Sequence, residues 1–146
     1  MNTIPHLHFN GNCAEAFAFY ARTLGGTVAF QMKYGEAPAG SPVPPESREQ
    51  IMHARVEFGP QGLTGCDVPH GQYQTPQGFN VIAEVNEPAD AERIFAALAT
   101  DGKVTLPCTE TFWARRFGMC TDRFGTPWMV NCIKPLEQVQ SSARGG

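Results

Sequence analysis

The sequence predicts an α+β fold made of two tandem βαβββ units. Three observations predict it: one helix-forming stretch occurs twice, strand-forming runs follow each copy in the same order, and a glycine closes both copies. The stretch AEAFAFYARTLGG, Ala14 to Gly26, returns 75 positions later as ADAERIFAALATDG, Ala89 to Gly102. Ala14 falls on Ala89, Glu15 on Asp90, Ala16 on Ala91, Phe19 on Ile94 and Tyr20 on Phe95, and one extra residue realigns Gly26 with Gly102. Apolar sites meet apolar sites and acids meet acids, as in a duplicated supersecondary unit, and binding sites tend to form where such copies meet.

In the first unit, residues 3–72, Pro5 to Phe9 alternates polar and apolar, a half-buried strand pattern. Gly11-Asn12 then turns the chain, and Asn12 is placed to cap the helix N-terminus with its side-chain oxygen. Alanines, Phe17, Tyr20 and Leu24 carry the helix to Gly25-Gly26, where a left-handed stop needs no Cβ. Thr27 to Tyr34 and Gln50 to Phe58 read as strands, and Gly62 to Val68 as a weaker third. Between them, residues 35–49 hold Pro38, Gly40, Pro42, Pro44 and Pro45, which predicts a flexible loop, either a lid over a ligand site or plain surface.

The second unit, residues 76–135, repeats the order. Phe79 to Val85 is a strand, Asn86 or Glu87 caps the next helix, and Pro88 sits in its first turn, where a missing N–H costs nothing. Lys103 to Cys108, Phe117 to Thr121 and Trp128 to Ile133 are the remaining strands, with a turn at Asp122-Arg123-Phe124-Gly125. Residues 136–146 are polar, end in Gly145-Gly146 and read as a disordered tail, with His70 in a solvated Pro/Gly-rich connector.

Composition bounds the function. With 146 residues and 42% hydrophobic content, the chain can build one substantial domain, residues 1–146. A net charge of -3 and no basic cluster beyond Arg115-Arg116 argue against nucleic acid as a partner. No apolar run approaches the roughly 20 residues that span a bilayer, so no membrane partner is expected. The five cysteines are scattered and include no C-x-x-C pair, which points to a reducing, cytoplasmic setting and to thiols that act as small hydrophobes rather than disulfides or a structural zinc site.

Three strings sharpen the picture: PHLHFNGNCAEAFAFYARTLGG at the start, ETFWARRFG, and TDRFGTPWMVN near the end. In order and spacing they resemble the PhnB-like branch of the vicinal oxygen chelate superfamily, which includes glyoxalase I, extradiol dioxygenases, fosfomycin-resistance enzymes and bleomycin-resistance binding proteins. The resemblance runs from about Thr3 to Lys134. It implies a curved mixed sheet around a cleft to which both units contribute, a homodimer, and a divalent ion held by His and Glu side chains that stabilises a developing oxyanion.

Carried onto this chain, those ligand places look poor for a hard ion. The last falls on Met129, four residues after Gly125; others fall on or near Asn80, near Gly65 or Cys66, and on Pro5, unless a bulge at Gly11 turns His6 and His8 toward the cleft. One His with Asn and Met does not supply the three or four converging donors a metal needs, so no metal and no other cofactor is expected.

The candidate cleft residues are His8, His53, Glu110, Trp113, Met129 and Asn131. On its strand His53 shares a face with Arg55 and Glu57, opposite Met52, Ala54, Val56 and Phe58, and that face is either cleft wall or solvent. Glu110-Thr111-Phe112-Trp113 joins an acid, a hydroxyl and two aromatics, which suits a flat organic ligand or else core and dimer packing. Asn131 faces the cleft by the family's geometry, or is a core amide bonded to backbone.

Three functions follow from the resemblance. The first is a metal-free protein that binds a small organic ligand, as the bleomycin-resistance members do. The second is a dioxygenase, lyase or isomerase with a noncanonical metal or an acid–base pair such as His53 with Glu110. The third is the label often attached to the branch, a 3-demethylubiquinone methyltransferase, which the lack of a Gly-rich strand-to-helix loop opposes.

Overall fold

Strand alternation and helix periodicity build each half around one apolar layer. The structure, a computed structural model, describes residues 1–69 and 71–144, with side chains through residue 140. His70 and Gly145-Gly146, assigned above to a solvated connector and to the tail, lie outside the described residues. The chain divides into two units, Met1–Pro76 and Gln77–Gly146.

The first unit runs β1 (His6–Phe9), α1 (Cys13–Leu24), β2 (Thr27–Lys33), β3 (Ile51–Phe58) and β4 (Gln61–Asp67). Its sheet has the order β1-β4-β3-β2, with β1 parallel to β4 and the other pairs antiparallel. On β1, Leu7 and Phe9 turn inward while His6 and His8 face out. Helix α1 buries Cys13, Ala16, Phe17, Phe19, Tyr20 and Thr23, the spacing of one broad helical face. Phe9 meets Phe17 edge-on at 5.7 Å, and Ala54 and Val56 of β3 complete the layer. Each such large side chain, fully buried, contributes about 1.5–3 kcal/mol. Gly65 of β4 lies directly under Phe17, where a Cβ would stand 2.7 Å from the ring.

A buried carboxylate ties this unit together. Asp67 ends β4 and accepts from the backbone N–H of Gly11 (3.0 Å), Cys13 (2.9 Å) and Ile51 (2.8 Å). This corrects the cap expected from Asn12: Asn12 occupies the cap position but makes no side-chain cap bond, and its Oδ1 is buried without a partner. The first helical N–H, that of Cys13, is satisfied by Asp67 from 54 residues away, because an ionised acceptor outcompetes a neutral amide for a buried donor.

The second unit runs β5 (Val81–Glu84), α2 (Pro88–Ala99), β6 (Lys103–Thr109), β7 (Ala114–Thr121) and β8 (Pro127–Ile133), in the sheet order β5-β8-β7-β6. Helix α2 starts with Pro88 and buries Ala91, Ile94, Phe95 and Leu98. The repeat alignment is thus an alignment of core positions: Ala16, Tyr20 and Ala91 are fully buried, and Phe19, Ile94 and Phe95 nearly so. Asp122 is this unit's buried carboxylate; it folds the β7–β8 turn by accepting from Phe124 N, Thr126 N and Trp128 Nε1.

Several boundaries differ from those read in the sequence. β7 begins at Ala114 rather than Phe117, because Ala114 and Arg116 pair with Ile133 and Cys132, and Arg116 turns its guanidinium to Glu92 of α2. β5 begins at Val81, after Gly78 in a left-handed conformation, so Phe79 and Asn80 precede the strand. The segment read as a disordered tail carries α3 (Leu136–Arg144) over its described residues; the helix starts from Pro135, whose carbonyl accepts from Gln138 and Val139. The 35–49 segment forms two short 3₁₀ turns, Tyr34–Glu36 and Pro45–Ser47, and is cross-linked at its base by Tyr34 N to Gln50 O and Gly35 N to Arg48 O. Its Ser47 is buried.

The recurring glycine has a steric reason. A Cβ on Gly26 would stand 2.4 Å from Glu57 O, and one on Gly102 would stand 2.3 Å from Thr121 O, so in both units the glycine lets the chain pass against the third strand. Gly102→Ala is therefore expected to lower stability by about 1–3 kcal/mol. Asp67→Ala strands the buried N–H groups of Cys13 and Ile51 and the part-buried one of Gly11, and is expected to cost about 3–4 kcal/mol. Urea unfolding of each variant checks both values; a loss below about 1 kcal/mol for Asp67→Ala would contradict the role given to its carboxylate.

Candidate functional site

On each sheet the face turned away from the helix carries the side chains that the fold does not use as core. In the first unit, the period of two along β1 places His6 and His8 together, and parallel pairing sets His6 opposite Thr64 and His8 opposite Cys66 of β4. One ligating atom from each of His6, His8 and Cys66 lies within 4.8 Å of the others. The His6 and His8 rings meet edge-on at 5.5 Å, and the ring of His53, from β3, lies parallel to His6 at 6.0 Å. Phe30 of β2 flanks His53 at 5.8 Å, and Arg55 bonds Glu57 at 2.9 Å farther along β3.

Thr64 orients His6. Its hydroxyl donates to the Pro5 carbonyl (3.3 Å), which can only accept, so the His6 Nδ1 contact at 2.8 Å is an N–H donated to Thr64 Oγ1. The lone pair of His6 is then on Nε2. Burial, followed by the nearby charges of His8 and His53, lowers the His6 pKa below its ordinary value, because a second imidazolium in this group would be repelled. Burial raises the Cys66 thiol, with the Asp67 carboxylate adding to it, so the free thiol is protonated at neutral pH. The other shifted thiols are also raised, chiefly by burial: Cys13 strongly, Cys108, and Cys120 to about 11.

In the second unit, Trp128, Val130 and Cys132 of β8 enter the core and Met129 and Asn131 occupy the opposite face. Asn131 pairs with Phe117 of β7 and with Glu84 of β5, and Met129 pairs with Met119 and Ile82. Trp113 packs on Phe117 at 5.4 Å and on the exposed Phe112 at 5.0 Å, so an aromatic group stands beside Asn131. The Asn131 side-chain oxygen is buried and has no protein partner. Glu110 is held by Lys134, its Oε1 3.0 Å from Nζ.

The six candidates fall on both units. His8 and His53 sit around His6 in the first unit; Trp113, Met129 and Asn131 share one patch in the second, where Glu110 is engaged with Lys134. The sequence put Cys66 near one family ligand place and His6 and His8 by another without joining them as a group, and it gave no site role to Phe117 or Lys134. The strand pairing joins them: His6, His8, Thr64 and Cys66 alternate with buried neighbours on two paired strands.

The divalent ion that the resemblance implies needs donors from both units. The paired β5 and β8 positions on the second unit's open face are Ile82, Met129, Glu84 and Asn131, one carboxylate and no imidazole, so this donor set does not match the His and Glu set of a hard cation.

A family model described as the glyoxalase/bleomycin resistance protein/dioxygenase superfamily matches residues 3–130. The protein YjdN of Escherichia coli (strain K12) is 33% identical over 138 residues, covering 89% of this chain and 94% of its own length. Among solved structures, PA1353 from Pseudomonas aeruginosa is 42% identical, with a TM-score of 0.81 over 92% of this chain and 99% of that one. The PhnB protein from Bacillus cereus, 22% identical, shares the fold at a TM-score of 0.73 over 90% of this chain and 98% of its own.

The His6 environment sets a titration test. Proton NMR is expected to place the His6 pKa below about 6.5, and His8→Gln or His53→Gln should each raise it part of the way back, leaving the depression due to burial. Because the native form binds the proton less tightly than the unfolded chain, this group erodes stability as pH falls from about 6.5 through the lowered value and no further below it. A His6 that titrates at or above 6.5 would contradict this electrostatic account.

Proposed function

The chain belongs to the glyoxalase/bleomycin resistance protein/dioxygenase superfamily, in its PhnB-like branch, and from that premise we propose that it is a binding protein for a small organic molecule that does not use the family's hard divalent ion. The observation that carries this reading is the Asn131 oxygen, buried on the open face of β8 with no protein donor. Such an acceptor costs about 1–3 kcal/mol until a donor meets it, and a ligand N–H or O–H supplies one. Phe117 and Trp113 beside it offer aromatic faces for a flat ligand. A polar tip on an apolar and aromatic floor is the usual make-up of a small-molecule site.

Two other readings lose support from the same geometry. An acid–base pair of His53 with Glu110 needs a free carboxylate, and Glu110 is engaged with Lys134. An adenosyl cofactor is commonly held by the free amides of a Gly-rich strand-to-helix turn. In the β1–α1 turn the Gly11 and Cys13 amides already donate to Asp67.

Native mass spectrometry of the purified protein, followed by thermal-shift measurement against aromatic carboxylates, phosphonates and diols, tests the reading. The expected result is a co-purified or stabilising ligand whose affinity falls about 10-fold in Asn131→Leu, one hydrogen bond's worth, while the free protein loses at most about 1 kcal/mol of stability. Equal affinity in the variant, or no ligand from any of these classes, would overturn it.

A further inference from the structure

Beyond the organic ligand, we infer that His6, His8 and Cys66 form a three-donor site for a thiophilic divalent ion of the zinc class, built within the first sheet alone. Their ligating atoms already lie within 4.8 Å of one another. Donors around a tetrahedral zinc stand about 3.3–3.8 Å apart, as bond lengths of about 2.0–2.3 Å require, so side-chain rotation of roughly 1 Å closes the site. The backbone needs no change: two histidines share a face of β1 because they are two residues apart, and parallel pairing sets Cys66 beside His8. β1 is the edge strand of its sheet, and both imidazoles are exposed to an incoming ion.

The second shell is in place. Thr64 takes the Nδ1 proton of His6, which fixes the ring and leaves its other nitrogen to ligate, as carbonyl and carboxylate acceptors do behind zinc-bound histidines. The nearest carboxylate along β4, Asp67, faces the interior and is occupied by three backbone amides, so it adds no hard oxygen donor to the group. Two nitrogens and one sulfur without a carboxylate favour zinc-class ions over magnesium, calcium or manganese. On binding, the Cys66 S–H bond gives way to a sulfur–metal bond and the proton passes to solvent. Three protein donors leave a fourth position for water or a further ligand. This differs from the arrangement the family resemblance implies, in which His and Glu from both units share the ion.

Zinc and cobalt(II) alone are the probes, with the full chain. The expected result is one zinc retained per chain after desalting, no manganese retained under the same conditions, and a near-ultraviolet thiolate-to-cobalt charge-transfer band on cobalt addition. Cys66→Ser should abolish the band and Cys108→Ser should leave it unchanged. Thr64→Val, which removes only the acceptor behind His6, should weaken zinc about 10-fold. His8→Gln should lower retention while circular dichroism stays that of the parent. Absence of the band, a band that survives Cys66→Ser, or manganese held as well as zinc would overturn the site. Repeating the organic-ligand titration with chelator present separates the two proposals: its failure there strikes the binding reading and leaves the ion site to its own test.

Discussion

The Asp67 carboxylate is the constraint on which the first unit depends. Its two oxygens reach the turn before α1, the first residue of that helix and the first residue of β3, while its carbonyl takes the Tyr34 hydroxyl at 2.8 Å. A charge removed from water is tolerated only when its lone pairs are met, and here backbone amides that would themselves be orphaned meet them. The same bonds fix where β1 lies against β4, because both flanks of the β1–α1 turn are tied to the residue that ends β4. Asp122 performs the equivalent service locally in the second unit, closing a turn and holding the indole of Trp128.

That anchoring separates structure from chemistry along a single strand. On β4, Leu63, Gly65 and Asp67 turn inward, to the core, to Phe17 and to the amides, while Thr64 and Cys66 turn outward to the histidines. A slip of one residue would exchange the two sets, exposing a carboxylate that holds three amides and driving Thr64 into Phe17, so the register that keeps the core is also the register that assembles the donor group.

The duplication preserves the core and lets the open faces diverge. Pairs related by the repeat, such as Ala16 with Ala91 and Tyr20 with Phe95, remain buried because volume lost in a packed layer is costly. Facing positions carry no such penalty. His6 and His8 beside Thr64 and Cys66 in the first unit share face and parallel pairing with Ile82 and Glu84 beside Met129 and Asn131 in the second. One face carries imidazoles, a hydroxyl and a thiol, the other Ile82 and Met129 with one carboxylate, Glu84, and one amide, Asn131.

By itself, the sequence determined what local periodicity can encode: the repeat, the two helical stripes, the strand alternation that sets His53 with Arg55 and Glu57, and the alternation that sets Met129 with Asn131 opposite Trp128, Val130 and Cys132. Short-range sterics and burial govern those features, and a few consecutive residues suffice to express them. The helix at 136–144 was not legible because α3 is short and polar overall. What only the tertiary structure decided was every relation between distant segments: the helix start capped by Asp67 instead of Asn12, Glu110 held by Lys134, and the meeting of His6 with Thr64 across 58 residues that also brings Cys66 to the histidines. Those depend on strand pairing and on which buried acceptor satisfies which amide, and such choices are settled by the whole fold at once.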